Sequence, residues 1–378
     1  RSRGLGDVYK RQEHNYLGTD SIDKTKRTSI KNTIGIALQE GFNKWAKAGL
    51  TAFLSYEYRN FALTDTTNIP GQRIINNYKE SSLSIGGELS KKQGKLLHYN
   101  ILGELAIAGE DAGQFSVEGR GDLNLRLFGD TVRLDVNAFI KNQNPVFYFR
   151  HFQSKHYWWD NNDLSKIMRT RLEGKLSLNR WGTQLRAGVE NIKNYTYLAN
   201  ASIPVKDSEG NVTGFKNNAA VRQHSGNIQI FTAMLQQKLK VGIFHLDGEV
   251  AYQKSSEQDI LPLPELSAYG NLYMKFGLAK KVLQIEMGAD VRYFSKYYAP
   301  DYSPVIGQFY NQNPDDKIEI GAFPIVNVYA NLHLKRTRFF IMMYHVNAGS
   351  GKSNYFLAPH YPINPRMIKF GLSWNFFD

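Results

Sequence analysis

Residues 115–128 read "FSVEGRGDLNLRLF". Successive side chains of an extended chain point to opposite faces. Phe115, Val117, Gly119, Gly121, Leu123, Leu125 and Leu127 therefore share one side, and Ser116, Glu118, Arg120, Asp122, Asn124 and Arg126 share the other. On a helix the three leucines would scatter around the axis, so the stretch reads as a strand. A Gly129–Asp130 turn follows. Then "TVRLDVNAFIKN" (131–142) sets Val132, Leu134, Val136, Ala138 and Ile140 against Arg133, Asp135 and Asn137. Two strands and one tight turn thus carry one apolar face and one charged face.

The same period of two recurs at Leu83–Leu89, Leu172–Leu178, Leu185–Val189, Phe244–Tyr252, Leu283–Tyr293 and Val326–Leu334. It is weaker at Leu96–Ile107 and Asn227–Lys240. Pattern reading yields about 15 strand candidates. Most are long enough to cross a bilayer when tilted, for which about 9–11 residues suffice, whereas strands of ordinary globular sheets centre on about 5–6. Connections alternate between short turns, such as Lys91–Gly94 and Asn179–Gly182, and long loops, such as Asn144–Ile167 and Tyr298–Gly321, with one short exception near Glu110–Ala112. Short turns at one end and long loops at the other are the habit of a membrane barrel, and place the long loops outside. The predicted fold is all-β: a single-domain antiparallel transmembrane β-barrel over 1–378, with about 16 or more strands in the intact protein.

Composition agrees. A mean hydropathy of −0.44 is too polar for a bundle of membrane helices, and no run approaches the ~18–20 apolar residues that such a helix needs. The absence of cysteine excludes disulfides and thiolate metal sites and suits an oxidising compartment. The net charge of +13 fits an anionic lipid surface or an anion-lined lumen. Nucleic acid is not the expected partner, because the basic residues alternate along strands and form no stripe. The opening "RSRGLGDVYKRQ" (1–12) has no apolar core of a signal peptide and reads as non-native sequence. The first strand candidate, near Ser29–Leu38, runs inward, so an odd number of upstream strands and a signal peptide are expected to be missing.

Several stretches resemble the putative porin family of Gram-negative outer membranes. They include "EGFNKWAKAGLTAF" (40–53), "GVENIKNYTY" (188–197), "LPLPELSAYGNLYMKF" (261–276), "YYAPDYSPVIGQFYNQ" (297–312), "FPIVNVYANLHLKRTRFF" (323–340) and "PHYPINPRMIKFGLSW" (359–374). The resemblance implies an outer-membrane barrel that passes small hydrophilic solutes, with no cofactor and no catalytic residue. The ending "KFGLSWNFFD" (369–378) resembles the terminal signal that the barrel-assembly machinery reads, at Lys369, Gly371, Trp374 and Phe376; Phe377 and Asp378 depart from it by following the final aromatic. Lipid and lipopolysaccharide are the remaining expected partners, and a homo-oligomer is left open.

Within a barrel the charged faces line water. The candidate pore-lining residues are Glu118, Arg120, Asp122, Arg126, Arg133, Asp135, Arg171, Glu173, Lys175 and Arg186. Other constellations carry less. "GSGKS" (349–353) lacks the first glycine of a phosphate loop, since position 346 is valine. "HYWWDNND" (156–163) lacks the glycine and terminal glutamate of a calcium loop and reads as an aromatic belt or an inward-folded constriction. His245 and His333 sit at lumen-facing strand positions, but no local signature ties a serine to either, so no enzyme is expected. The alternatives are a receptor, adhesin or secretion-complex barrel, and a barrel lipid hydrolase.

Overall fold

A computed structural model describes residues 24–41, 47–66, 73–127, 129–216, 218–351 and 354–376. Residues 1–12, and Lys352, Ser353, Phe377 and Asp378 of the two motifs above, lie outside these.

In chain order the strands are β1 (Thr25–Leu38), β2 (Gly49–Thr66), β3 (Arg73–Lys91), β4 (Leu97–Gly109), β5 (Phe115–Leu127) and β6 (Asp130–Gln143). Then come β7 (His151–Gln153), β8 (Trp158–Asp160), β9 (Ile167–Leu178), β10 (Thr183–Asn200), β11 (Ile203–Lys206) and β12 (Val212–Lys216). They continue with β13 (Ala219–Val241), β14 (Phe244–Ser255), β15 (Leu266–Leu278), β16 (Leu283–Phe294), β17 (Asp301–Ser303) and β18 (Gln308–Tyr310). The last are β19 (Ile325–Leu334), β20 (Thr337–Tyr344), β21 (Phe356–Ala358), β22 (Tyr361–Pro362) and β23 (Met367–Trp374).

Among the described residues, fifteen of these strands form one antiparallel sheet in meander order, each paired with its sequence neighbour in the sheet. The other eight make four small hairpins, β7–β8, β11–β12, β17–β18 and β21–β22, each inside a long connection. Among the described residues no helix is long and apolar enough to cross a membrane. The chain is an antiparallel transmembrane β-barrel.

Alternation decides which way the wall faces. Val117 pairs with Ile140, Ala138 with Leu172, and Leu172 with Val189, which in turn meets Phe231. This continuous apolar belt is exposed, and so are Ile34, Ile36 and Phe370, each more than three-quarters bare. Lipid covers such side chains, each worth about 1.5–3 kcal/mol when removed from water. The interior has no matching apolar mass: the main buried cluster is Phe61, Leu63 and Phe147 near the long-loop end.

The short turns need unusual backbone. Gly129, at φ 73°, turns β5 into β6 in the left-handed region that glycine enters without penalty. The sequence places the β10–β13 loop at Thr196–Val221, but the ladder continues through Asn200 and Ala219 and leaves only 201–218 outside it. A register shift between Lys193 and Tyr195 precedes these extra rungs, so the alternation that marks the strand in the sequence is broken there. The hairpins within the loops are also beyond the sequence reading, since β7, β8, β17 and β18 have three residues each, too few for periodicity to register.

Candidate functional site

Register converts the alternating charges of four strands into rows across one face. Glu118 lies level with Phe139, Arg171 and Glu190; Arg120 with Asn137, Glu173 and Gly188; Asp122 with Asp135, Lys175 and Arg186. Arg133 is level with Asn124, and Arg126 with Thr131, toward the short turns. The ten sequence candidates are thus brought onto adjoining positions of β5, β6, β9 and β10, on the face opposite the apolar belt.

Opposite charges meet along and between these rows. Arg133 Nε donates to Asp135 Oδ1 at 2.8 Å, and its guanidinium lies 3.6 Å from Asp122. Lys175 Nζ is 3.0 Å from the second oxygen of Asp135. Lys141 reaches Glu118 at 2.6 Å, Arg171 pairs with Glu173, and Arg186 approaches Glu173 at 4.0 Å. Glu190 collects Arg169 at 2.5 Å and Arg171 at 3.9 Å. Solvated pairs of this kind contribute at most about 1 kcal/mol each to stability, so their weight is in the field they present to a passing solute.

The neighbouring arc has a different chemistry. Asp247, Asn271, Asp290 and Asn327 share one row through β14, β15, β16 and β19. Asn327 Nδ2 donates to Asp290 at 2.9 Å, Asn271 meets the Tyr329 hydroxyl at 3.1 Å, and Tyr273 Oη lies 3.4 Å from Asp247. His245 stacks on Tyr273 at 4.9 Å. Tyrosines and carboxylates here take the place of the arginines. Among the described residues, no group of His, Asp and Glu has the arrangement of a metal site.

The loop at 144–166 folds onto the wall on the charged side. Pro145 cannot donate to the ladder, and β6 stops just before it. A single helical turn, Phe147–Arg150, follows. The Phe147 ring stacks on Phe61 of β2 at 3.7 Å and packs edgewise on Tyr78 of β3 at 5.5 Å. Arg150 binds Glu80 at 2.6 Å and Glu110 at 2.9 Å; Arg59 binds the same Glu80 at 3.1 Å and Asp111 at 2.7 Å. Glu80 is 7% exposed, so this carboxylate holds two guanidiniums together where water is scarce. Trp159 stacks on Phe152 at 4.7 Å and its indole donates to the Tyr148 carbonyl at 2.9 Å. Trp159 of "HYWWDNND" thus packs within the loop, while Trp158 is half exposed.

The loops also join one another. Tyr157, 4% exposed, shares a side-chain hydrogen bond with Ser303 of β17, and burial pushes its hydroxyl's pKa up. Burial raises Tyr310 of β18 as well. Asn311 exchanges backbone hydrogen bonds of 2.8 Å with Leu198 and Asn200, and its side chain donates to the Ile260 carbonyl at 2.7 Å. Lys317 binds Asp259 at 2.6 Å, and His360 lies 3.3 Å from Asp301, whose hydrogen bond raises the imidazole's pKa. Connections after β6, β14, β16 and β20, together with the loop end of β10, therefore form one crown, and contacts between such distant segments require the sheet to curl.

At the chain's end, Trp374 and Phe376 are exposed on the apolar side with rings 5.5 Å apart. Lys369 lies on the other face, 5.0 Å over the Tyr344 ring. Gly371 is level with Phe340, whose ring covers it and would have to swing aside for an added Cβ, which it would meet at 2.6 Å. The sequence reading missed Arg59, Glu80, Asp111 and Arg150. The aromatic run "VFYFR" (146–150) is the one signal that could have drawn attention to this contact.

The family described as putative porin matches residues 3–378, nearly the whole chain. This chain belongs to that family. No curated protein matches the porin-family chain. Solved structures similar to it include the siderophore receptor PirA from Acinetobacter baumannii, at TM-score 0.61 and 9% identity, with 96% of this chain and 58% of that one covered. The FrpB iron transporter from Neisseria meningitidis aligns at TM-score 0.57 and 11% identity, covering 93% and 55%. A variant of the ferric enterobactin receptor from Pseudomonas aeruginosa aligns at TM-score 0.58 and 13% identity, covering 92% and 54%. The porin-family chain thus spans little more than half the length of these structures, and the likeness is one of fold.

Proposed function

We propose that the chain forms an aqueous channel through the outer membrane for passive diffusion of small hydrophilic solutes. One observation carries this reading: ten charged side chains predicted from alternation alone adjoin across four consecutive strands, on the face that lipid does not cover. Barrels of about 16–18 strands leave room for water. Selectivity then comes from wall charge and from the loop against β2 and β3. This function needs no cofactor and no catalytic group. Planar-bilayer recording on the purified protein tests it: stepwise ohmic currents are expected, and a barrel that folds and inserts without conducting refutes it.

The loop crown favours a second reading, a barrel that captures a ligand or partner outside. The supporting observation is the buried Tyr157–Ser303 contact between two connections. Excising the β11–β12 hairpin or the 144–166 loop distinguishes the two, because a receptor loses its ligand while a channel keeps or gains conductance.

A further inference from the structure

A cavity of about 320 Å³ opens on the inner wall between β3, β4, β5, β6 and β9, toward the short-turn end. Four cationic side chains line it, Lys92, Arg120, Arg133 and Lys175, against two carboxylates, Asp122 and Asp135; Lys91 borders it from the apolar face, level with Tyr99. Four less two leaves an excess of two positive charges, with His98 counted as neutral. Both carboxylates are already engaged. Asp135 is held by Arg133 and Lys175, and Asp122 by Arg133 and by His98 Nδ1 at 2.9 Å.

Arg120 differs from its neighbours. It is exposed to the lumen, and its level neighbours on β4 and β6 are two amides, Asn100 and Asn137. Among the described residues no carboxylate pairs with it. A second cavity, of about 220 Å³, lies on the same wall toward the loops. There Glu57, Glu104 and Asp111 outnumber Lys31 and Arg59, and those charges bind one another. Of the two cavities on this wall, the lower one holds the uncompensated positive charge.

We propose that the lower cavity is a binding site for a small dianion, a phosphate or a dicarboxylate, in transit through the lumen. The inference rests on the channel reading and narrows its solute class. A guanidinium presents parallel donors that match the paired oxygens of phosphate or carboxylate, and Lys175 adds a mobile point charge. The Asn137 amide supplies a further donor beside it, while the Asn100 amide donates to Glu88. Because the site faces water, binding is weak enough to release, as conduction requires.

The test uses the purified full chain, with calorimetric titration of inorganic phosphate and of succinate, and the same anions as blockers of chloride current in bilayers. Saturable binding of at least one of them is expected. Arg120→Gln should weaken it about tenfold, the loss of one charge-assisted contact. Lys254→Gln removes an equal charge beside Glu265, outside the cavity, and should leave binding unchanged. The cold folded and boiled unfolded gel bands confirm that each variant is assembled. Binding by phosphate alone selects the tetrahedral oxyanion, and binding by succinate alone selects the dicarboxylate. Non-saturating titrations with both, or equal affinity in the parent and Arg120→Gln, would overturn the site. A protein that conducts without saturable binding loses the site and keeps the channel. One that binds without conducting loses the channel and keeps the site.

Discussion

The ring of Phe147 lies parallel to that of Phe61, 3.7 Å away and 6° from coplanar, and through this contact the 144–166 loop is held against the β2–β3 wall. Both rings are about 95% buried. Deleting a buried phenylalanine side chain costs about 3–5 kcal/mol in a compact core, but here the loss falls on the loop, because the ladder on either side has its own hydrogen bonds. Phe147→Ala should release the loop without unfolding the barrel. Added protease should cut between residues 144 and 166 in the variant and not in the parent, while the heat resistance of the folded band stays unchanged. Single-channel conductance should rise.

The two faces of one strand should respond differently. Leu172 lies mid-way along β9, level with Ala138 and Val189 and exposed on the apolar belt. Leu172→Arg puts a charge near the bilayer midplane at a cost of about 2–4 kcal/mol. That is a large share of the ~5–15 kcal/mol that keeps a typical protein folded. Its folded band should collapse at a lower temperature. Arg171→Gln, one residue away on the charged face, should leave the band in place. Equal losses in both variants would contradict the assigned faces.

Assembly should depend on the last aromatics. Trp374 and Phe376 project from the apolar side, and replacing both with serine removes the large side chains of the terminal signal without touching the β20–β23 ladder of backbone bonds. The double variant should accumulate in the periplasm as protease-sensitive chain. Normal outer-membrane levels would show that the signal is read elsewhere.

One loop contact should respond to pH. His360 has its pKa raised above the ordinary value of about 6.5 by its hydrogen bond to Asp301, with Asp316 adding attraction. A raised pKa means that the contact is fully present below the ordinary value and is lost as pH rises through the raised one. The side chain is more than half exposed, so water screens the effect and the change is local. Corrected for base-catalysed intrinsic exchange, amide protection in β17 and in β21–β22 should fall as pH climbs above about 6.5, and His360→Gln should remove that fall. A pH-independent exchange difference in the parent would rule the contact out as its cause.

The absence of cysteine makes topology easy to map. Glu209→Cys, at the exposed tip between β11 and β12, should react with an impermeant maleimide on intact cells. Lys95→Cys, in the β3–β4 turn, should react only after the outer membrane is opened. The reverse labelling would invert the barrel.

The faces of the wall were legible in the sequence, because a side-chain period of two survives without any knowledge of partners. It puts Arg120 and Leu123 on opposite sides whatever pairs with β5. The alternation of short and long connections then set direction, and the ten candidate lumen residues came from the same rule. What they do to one another was not legible. Arg133 could have paired anywhere, and only register places it against both Asp135 and Asp122 while leaving Arg120 between two asparagines. The interior loop lay further out of reach. Phe61 and Phe147 are 86 positions apart, and no local pattern says that a surface connection will turn inward. That was decided by tertiary packing, since a curled sheet leaves a wide polar interior in which aromatic rings are best covered by one another, and the buried Glu80 is satisfied only when Arg59 and Arg150 converge on it from separate elements.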